Sequence, residues 1–422
     1  MPGGGKPGGA ASGRGSSGGR GSSGGRAGGS ASANRANAPG RRRRARAARR
    51  RGLVVAGVVA LVIVGTVAAG LAGAGVHTTG TPTRSTVPVT TDAPTTHPVP
   101  TTSPTPTTST TSTTLPPSAR TYAIGQVRFR WVEPGRVVSY PFAPDGAATG
   151  PRVLLARVLY PATGPATSTA VVNGAPPARS DGPFPLVIFG PGLDQFASAY
   201  SVILDAWARA GFVVAALRFP VTNPTVPGPP SEKEPDDLHN QAGDMTFAIK
   251  TLLADSAQGT GPLAGLLEPN EVAVTGQSDG GNTAIAASRL AAYQDPAVKA
   301  AIILSGANYG FGPPGDVMGP GAFAASGPPL LATQGTADQT NPPSFTDDYF
   351  MPLPPPKWLL CLDGAHHLPP YQQQNSWSAV VRAVTIHFLY AELYHEPGQL
   401  AAMTDAGNVA GVAGFASSCP ST

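Results

Sequence analysis

Only two cysteines, Cys361 and Cys419, occur among the 422 residues of the chain. The sequence therefore has no paired-cysteine zinc pattern, and its histidines and carboxylates show no metal-ligand spacing either. A glycine-rich nucleotide-binding loop and an internal repeat are also missing. We expect neither a metal ion nor another cofactor.

Acidic residues are absent from the first 52 positions, which hold 13 of the 29 lysines and arginines. The residues after Gly52 include 16 basic side chains and all 24 acidic ones, so this part carries a net charge of about −8 although the whole chain carries +5. The basic balance belongs to the N-terminal segment and does not indicate a nucleic-acid partner. Residues 1–52 are mainly Gly, Ser and Arg, which cannot form a core, so we predict a disordered basic tail.

Charge of either sign is missing over the 24 residues from Leu53 to Val76. As a helix this run is ~36 Å long, enough to cross a hydrocarbon core of ~30 Å. The arginines precede the run, so the positive-inside rule predicts a single-pass signal anchor at 53–76 with a cytoplasmic N-terminus. Ala72-Gly73-Ala74 has the form of a signal-peptidase site, and secretion after cleavage near Ala74 is the alternative. Either outcome puts the remaining chain outside the cytoplasm.

Thr, Pro and Ser dominate residues 77–118, where few side chains could form a core. This composition favours an extended, solvated backbone, so we predict a linker that separates the membrane from a folded domain. From Tyr122 onward the composition is that of a globular protein. Its length of about 300 residues fits one large domain, 119–422.

Short apolar runs rich in β-branched residues alternate with helix-length segments in this domain. The pattern predicts an α/β fold, with a mostly parallel central sheet and helices on both faces. Runs at 122–133 and 153–160 precede the first helix and predict an antiparallel start to the sheet. The other predicted strands are 186–189, 212–217, 272–275, 300–304, 330–333 and 358–362, and the predicted helices are 200–210, 240–254, 281–293 and 376–395.

The pattern G-x-S-x-G, which surrounds the nucleophile of many serine hydrolases, occurs three times. Two matches lie in the Gly/Ser-rich tail, where no strand or helix is expected. The third, Gly276-Gln277-Ser278-Asp279-Gly280, follows an apolar strand and opens an alanine-rich helix. A sharp strand-to-helix turn lifts a serine hydroxyl above the sheet, and Gly276 and Gly280 allow the backbone segments to approach. Ser278 is therefore the candidate nucleophile. The alternative is a glycine-rich connection without a catalytic role.

A serine hydroxyl needs a base, and the base needs an orienting carboxylate; both follow the serine along the chain in this topology. His366 and His367 stand on a loop directly after a predicted strand, whereas the two later histidines lie within a long predicted helix. Asp338 follows another apolar strand by a few residues, within a turn. Because ligand chemistry in open α/β sheets gathers at the carboxyl ends of strands, we predict Asp338 as the third member.

Between Tyr122 and Tyr394 the sequence resembles the α/β-hydrolase superfamily, nearest the platelet-activating-factor acetylhydrolase and dienelactone-hydrolase branch. The segments that carry the resemblance are RVLYP at 157–161, FPLVIF at 184–189, GFVV at 211–214, GQSDGG at 276–281 and GAHH at 364–367.

The resemblance implies that His367, which follows a Gly-Ala-x triplet, is the base and that His366 points toward solvent or toward groups around the site. The alternative is a one-residue slip of the loop, which would reverse the two roles. The backbone N–H of Asp279, the residue after the nucleophile, is one expected donor of an oxyanion hole. The family pattern implies the N–H of Leu193 as the second. Members of the family usually have Ser-His-Gly in the loop before this donor, and Gly190-Pro191-Gly192 replaces it here.

Cys361 belongs to the predicted strand before the histidine loop, and Cys419 lies near the C-terminus. An oxidising compartment permits a disulfide between them that ties the C-terminal tail to the sheet. A buried free thiol at Cys361 is the alternative, because its neighbours are apolar.

These features predict a membrane-anchored, extracytoplasmic serine hydrolase that cleaves small-molecule or lipid carboxylic esters through an acyl-enzyme. Hydrolysis of peptides or amides by the same fold is an alternative, although nothing in the sequence resembles the β-propeller that often gates such enzymes. A third alternative is a catalytically inactive scaffold displayed on a stalk. The sequence does not identify a protein partner.

Overall fold

The computed structural model describes residues 120–140, 148–308 and 322–422. The predicted tail (1–52), membrane span (53–76) and linker (77–118) lie outside the described residues. Within the described ranges, no helix combines the length and the apolar composition that crossing a bilayer requires.

In the described part of the chain, ten strands form one mixed sheet: β1 (Ala123–Tyr140), β2 (Ala148–Ala162), β3 (Val171–Asn173), β4 (Phe184–Gly190), β5 (Val213–Arg218), β6 (Leu267–Gln277), β7 (Val298–Leu304), β8 (Leu330–Gly335), β9 (Lys357–Leu362) and β10 (Ala413–Ala416). Their order across the sheet is β10-β9-β8-β7-β6-β4-β5-β2-β1-β3. Strands β5, β4, β6, β7, β8 and β9 run parallel to one another, and β10 pairs with β9 in the antiparallel direction. The pairs β1/β2 and β2/β5 are antiparallel. The predicted mostly parallel sheet with an antiparallel start is confirmed.

Seven α-helices accompany the sheet in the described ranges: α1 (Ser201–Arg209), α2 (Pro230–Ala257), α3 (Asp279–Arg289), α4 (Pro343–Phe350), α5 (Pro369–Gln372), α6 (Ser376–Leu393) and α7 (Gln399–Gly407). Alternate residues of each strand face opposite sides, so the strands feed two hydrophobic cores. Leu186 and Ile188 of β4 pack with residues of α2, α3 and α4. Val187 and Phe189 pack with residues of α1, α6 and α7. The predicted helices on both faces of the sheet are therefore confirmed.

The structure extends and adds to the predicted elements. Helix α2 begins at Pro230, ten residues before the predicted start at Asn240. Its first turns are polar, so apolar periodicity does not reveal them, although proline at the first position is a helix-start signal. Strands β3 and β10 and helices α4, α5 and α7 were not predicted. The two strands have only three and four residues and lie at the sheet edges.

Candidate active site

Ser278 is the single residue between β6, which ends at Gln277, and α3, which begins at Asp279. Its φ of 55° lies in the left-handed region, which non-glycine residues rarely adopt. A Cβ atom on Gly276 would collide with the carbonyl of Gly280, and one on Gly280 would collide with the carbonyl of Gly190. The turn therefore needs glycine at both positions and holds Ser278 in strained backbone.

Asp338 and His367 meet beyond the carboxyl ends of β8 and β9. His367 Nδ1 lies 2.7 Å from Asp338 Oδ2. The other carboxylate oxygen, Oδ1, accepts the backbone N–H groups of Thr340 and Asn341, both at 2.9 Å. Asp338 is 2% exposed and His367 is 6% exposed. A buried carboxylate with all these donors is suited to hold an imidazole ring in one orientation.

The two adjacent histidines of the loop have different surroundings. His366 is exposed, and its Nδ1 lies 2.9 Å from the carbonyl oxygen of Ala337. Gly364 has a φ of 67°, which glycine adopts without strain, and so allows the turn between β9 and the histidines. Its N–H donates to Thr336 Oγ1 at 2.8 Å and helps to fix that turn. The structure therefore brings His367, and not His366, to Asp338.

The hydroxyl of Ser278 contacts an amide side chain. Asn341 Nδ2 lies 3.4 Å from Ser278 Oγ and donates to the carbonyl oxygen of Ser305 at 2.9 Å. Among the residues that the structure describes, no hydrogen bond joins Ser278 Oγ to His367. Catalytic hydrogen bonds of substrate-free enzymes are often long and tighten only in the complex.

The loop after β4 lies against the nucleophile. A Cβ atom on Gly192 would come within 3.2 Å of Ser278 Cβ, so this loop approaches the serine as closely as glycine allows. The N–H groups of Leu193 and Asp279 take no part in the hydrogen bonds of the described residues, whereas those of Gly192 and Asp194 are bonded to Tyr200 Oη and the Thr222 carbonyl. Two backbone donors beside a serine are the elements of an oxyanion hole.

The side chain of Asp279 is directed away from solvent and is 1% exposed. Its Oδ2 accepts from Gln241 Nε2 at 3.4 Å, while Oδ1 has no hydrogen-bond partner in the described part of the chain. Burial raises the pKa of Asp279 to about 7, although the bond from Gln241 opposes the shift and the nearby charge of Asp237 adds to it. The N-terminus of α3 also favours the charged form.

Two residues of helix α2 and one of β2 form a buried ion cluster. Arg152 is fully buried and donates to both oxygens of Asp237 at 2.9 Å and to both oxygens of Asp244. Burial raises the pKa of Asp244 to about 6, and the bond from Arg152 opposes that shift. The cluster fastens α2, which carries Gln241, to the sheet.

Cys361 and Cys419 form a disulfide across 58 residues. The bridge joins β9, which leads into the histidine loop, to the C-terminal tail. The last residue, Thr422, donates its N–H to the carbonyl oxygen of Thr336 at 3.0 Å, two residues before Asp338. In the described ranges, no group of three or more His, Cys, Asp or Glu side chains is placed to hold a metal ion.

Three side chains of this site were not predicted as functional: Asn341, Gln277 and Tyr200. Gln277 lies inside the G-x-S-x-G pattern, but this pattern specifies nothing about the residue before the serine. Asn341 follows Asp338 by three residues, and an aspartate that binds the N–H groups of the next residues is a turn signal. Tyr200 has no local sequence signal, because its role depends on contacts between distant segments.

No family model and no curated protein matches the sequence. Among solved structures, the chain is similar to a ferulic acid esterase from Streptomyces cinnamoneus at 2.4 Å resolution. The two share 21% sequence identity and a TM-score of 0.47, over 67% of this chain and 93% of that chain. At this level the likeness assigns neither a family nor an activity, which must come from the arrangement of side chains described above.

Proposed function

We propose that this protein is a serine hydrolase of the α/β-hydrolase superfamily that cleaves carboxylic esters. The observation that carries the proposal is the buried His367–Asp338 pair, 2.7 Å apart, which Asn341 connects by hydrogen bonds to a serine held at a φ of 55° between a strand and a helix. This combination of strained serine, ordered histidine and buried carboxylate is costly in a merely structural region. It is what nucleophilic catalysis requires.

In the proposed reaction, Ser278 Oγ attacks the ester carbonyl carbon while its proton passes to His367 Nε2. The Asp338 carboxylate stabilises the imidazolium that forms, and the N–H groups of Leu193 and Asp279 donate to the negatively charged oxygen. The alkoxide leaves with the proton from His367, and the acyl group remains on Ser278. Water then attacks the acyl-enzyme with His367 as base and releases the carboxylic acid.

Labelling of Ser278 tests the mechanism. The full-length chain, solubilised in detergent, should react with a fluorophosphonate probe and hydrolyse p-nitrophenyl esters, and peptide mapping should place the label on Ser278. Ser278→Ala should lose the label and several orders of magnitude in kcat with unchanged circular dichroism, because triad members act as a unit. If the variant keeps a tenth of the activity, Ser278 is not the nucleophile. A folded wild-type protein that neither reacts nor hydrolyses would support the inactive-scaffold alternative.

A series of p-nitrophenyl esters with acyl chains of increasing length, and the matching anilides, would define the substrate class. Preference for esters over anilides by several orders of magnitude is expected. Comparable rates on anilides would favour the peptidase or amidase alternative.

We also propose that the domain is held outside the cytoplasm by the apolar run at 53–76. The support is the sequence alone: the arginines before the run and the positive-inside rule. Protease added to intact cells should remove the domain after Ser118 and spare an epitope placed before Gly40. Loss of that epitope would overturn the orientation, and a domain in the medium that starts near Gly75 would indicate cleavage instead.

A further inference from the structure

Gln277, the residue before the candidate nucleophile, has a fully buried side chain with hydrogen bonds at both ends. Its Oε1 accepts from Tyr200 Oη at 2.8 Å. Its Nε2 lies 3.1 Å from His367 Nε2 and 3.4 Å from the carbonyl oxygen of the same histidine. The Gln277 amide therefore connects Tyr200, which binds the predicted oxyanion loop, to His367 Nε2, the ring nitrogen that faces away from Asp338.

These contacts form a chain in which every donor has a matching acceptor. The Gly192 N–H donates to Tyr200 Oη at 3.2 Å, and the tyrosine hydroxyl donates to Gln277 Oε1. Gln277 Nε2 carries only hydrogens, so it requires an unprotonated His367 Nε2. The proton of the neutral ring is then on Nδ1, where it donates to Asp338. This is the tautomer in which a histidine can accept a proton from a serine.

The oxyanion loop is held by the same chain. Gly192 precedes the predicted donor Leu193, and a Cβ atom at Gly192 would lie 2.6 Å from Gln277 Oε1 and 3.1 Å from Tyr200 Oη. Tyr200 is fully buried, and this burial raises the pKa of its hydroxyl, which stays a neutral donor at physiological pH. The Gly190-Pro191-Gly192 loop is thus held in place by two side chains that do not belong to it, Tyr200 and Gln277.

We propose that Gln277 and Tyr200 are positioning residues that join the oxyanion loop to the base in one hydrogen-bonded unit. The inference rests on the proposed hydrolase function and goes beyond it. In the resting protein, the Gln277 amide donates a hydrogen bond to His367 Nε2, the nitrogen that must accept the Ser278 proton. When Ser278 donates to His367 Nε2, the Gln277 amide transfers its hydrogen bond to the His367 carbonyl oxygen and keeps its bond from Tyr200.

Gln277→Leu and Tyr200→Phe test this unit in the full-length protein. Each should lower kcat for p-nitrophenyl acetate by about 10- to 100-fold, as expected for a misplaced catalytic group, while KM changes less than about threefold. The kcat of the double variant should be at most about threefold below that of the less active single variant, because both substitutions break the same chain of hydrogen bonds. Tyr390→Phe is the matched control, since it removes a buried hydroxyl that donates to the carbonyl oxygen of Ala210 at 2.8 Å, outside this chain. It should retain wild-type kcat.

Gln277→Glu gives a readout that a packing role would not produce. A carboxylate in this place accepts hydrogen bonds only, so it favours the ring with a proton on Nε2 and should move the acid limb of the kcat/KM profile to higher pH. Asp338, the other carboxylate in contact with the ring, is the same in both proteins. An unchanged pH profile together with wild-type kcat in Gln277→Leu would overturn the inference.

The controls separate failure of this inference from failure of the proposed function. If Ser278→Ala is inactive while Gln277→Leu and Tyr200→Phe are fully active, the hydrolase stands and the positioning unit does not. If Gln277→Leu does not fold by circular dichroism, Tyr200→Phe and Gln277→Glu decide the question by the same kcat and pH criteria. Additive losses in the double variant would also contradict a single unit.

Discussion

The side chains of His366 and His367 are adjacent in sequence but contact different partners. His367 Nδ1 lies 2.7 Å from Asp338 Oδ2 in a buried position, whereas His366 Nδ1 lies 2.9 Å from the Ala337 carbonyl oxygen and its ring is exposed. Neighbouring side chains of an extended loop diverge, so only one of the two rings can serve the same site.

Paired substitutions of the histidines should therefore have unequal effects. His367→Ala is expected to lower kcat on a small activated ester by about 10³-fold or more, as for loss of a triad base. His366→Ala removes only a contact to a backbone carbonyl and should cost less than about tenfold. Steady-state kinetics on both variants measures the ratio. A larger loss in His366→Ala would reverse the assignment of the base.

Asp279→Asn should stabilise the fold at alkaline pH. Burial raises the pKa of Asp279 to about 7, far above its ordinary value, so the folded state holds the proton more tightly than the unfolded state does. The favourable contribution is complete below pH ~4 and is lost as pH rises through ~7. Asparagine removes that dependence, and we expect a gain on the order of 1–3 kcal/mol at pH 8 that disappears near pH 4.

Urea unfolding of both proteins at pH 4, 6 and 8 measures the difference. Asp363→Asn is a suitable control, because this carboxylate is exposed and its replacement should leave the free energy of unfolding nearly unchanged. Equal stability of Asp279→Asn and the wild type at pH 8 would mean that the carboxylate is well solvated or paired.

The sequence was sufficient to predict the central strands and the serine turn, because both have local signals. Every residue of β4 is buried, so an uninterrupted apolar run identified it. The G-x-S-x-G pattern located Ser278 only when the strand before it and the helix after it were considered. The Tyr200–Gln277 contact joins residues 77 positions apart and has no such signal. Likewise, β10 is a short strand whose position depends on pairing with β9 and on the disulfide.

Arg152→Met should destabilise the domain because it leaves two carboxylates buried without their main partner. Removing one member of a buried ion cluster typically costs about 3–5 kcal/mol. Arg136 remains 3.1 Å from Asp244 and should recover a small part of the loss. Burial raises the pKa of Asp244, and loss of Arg152 removes the bond that opposes this shift, so Asp244 binds a proton more readily in the variant and the loss should be smaller at pH 5 than at pH 8.

Replacing both carboxylates as well, in Arg152→Met/Asp237→Asn/Asp244→Asn, should recover stability relative to the single variant. Arg130→Met is the control for loss of an exposed arginine. Thermal unfolding of the wild type, the single variant, the triple variant and the control at pH 5 and pH 8 measures these differences in stability. If the single variant loses as much stability at pH 5 as at pH 8, packing rather than buried charge accounts for the effect.

Reduction of the disulfide should loosen the turn that carries Asp338. The bridge between Cys361 and Cys419 closes a loop of 58 residues, and a loop of that size contributes about 2–4 kcal/mol in most proteins. It also holds the C-terminal tail where Thr422 binds the carbonyl oxygen of Thr336, close to Asp338. Cys361→Ser/Cys419→Ser should therefore lower Tm by several degrees and lower kcat by a larger factor than it changes KM.

Dithiothreitol should lower the Tm of the wild type toward that of the double variant and should leave the Tm of the variant itself unchanged. A wild-type protein whose Tm and kcat resist complete reduction, verified by thiol titration, would show that the tail stays in place without the bridge.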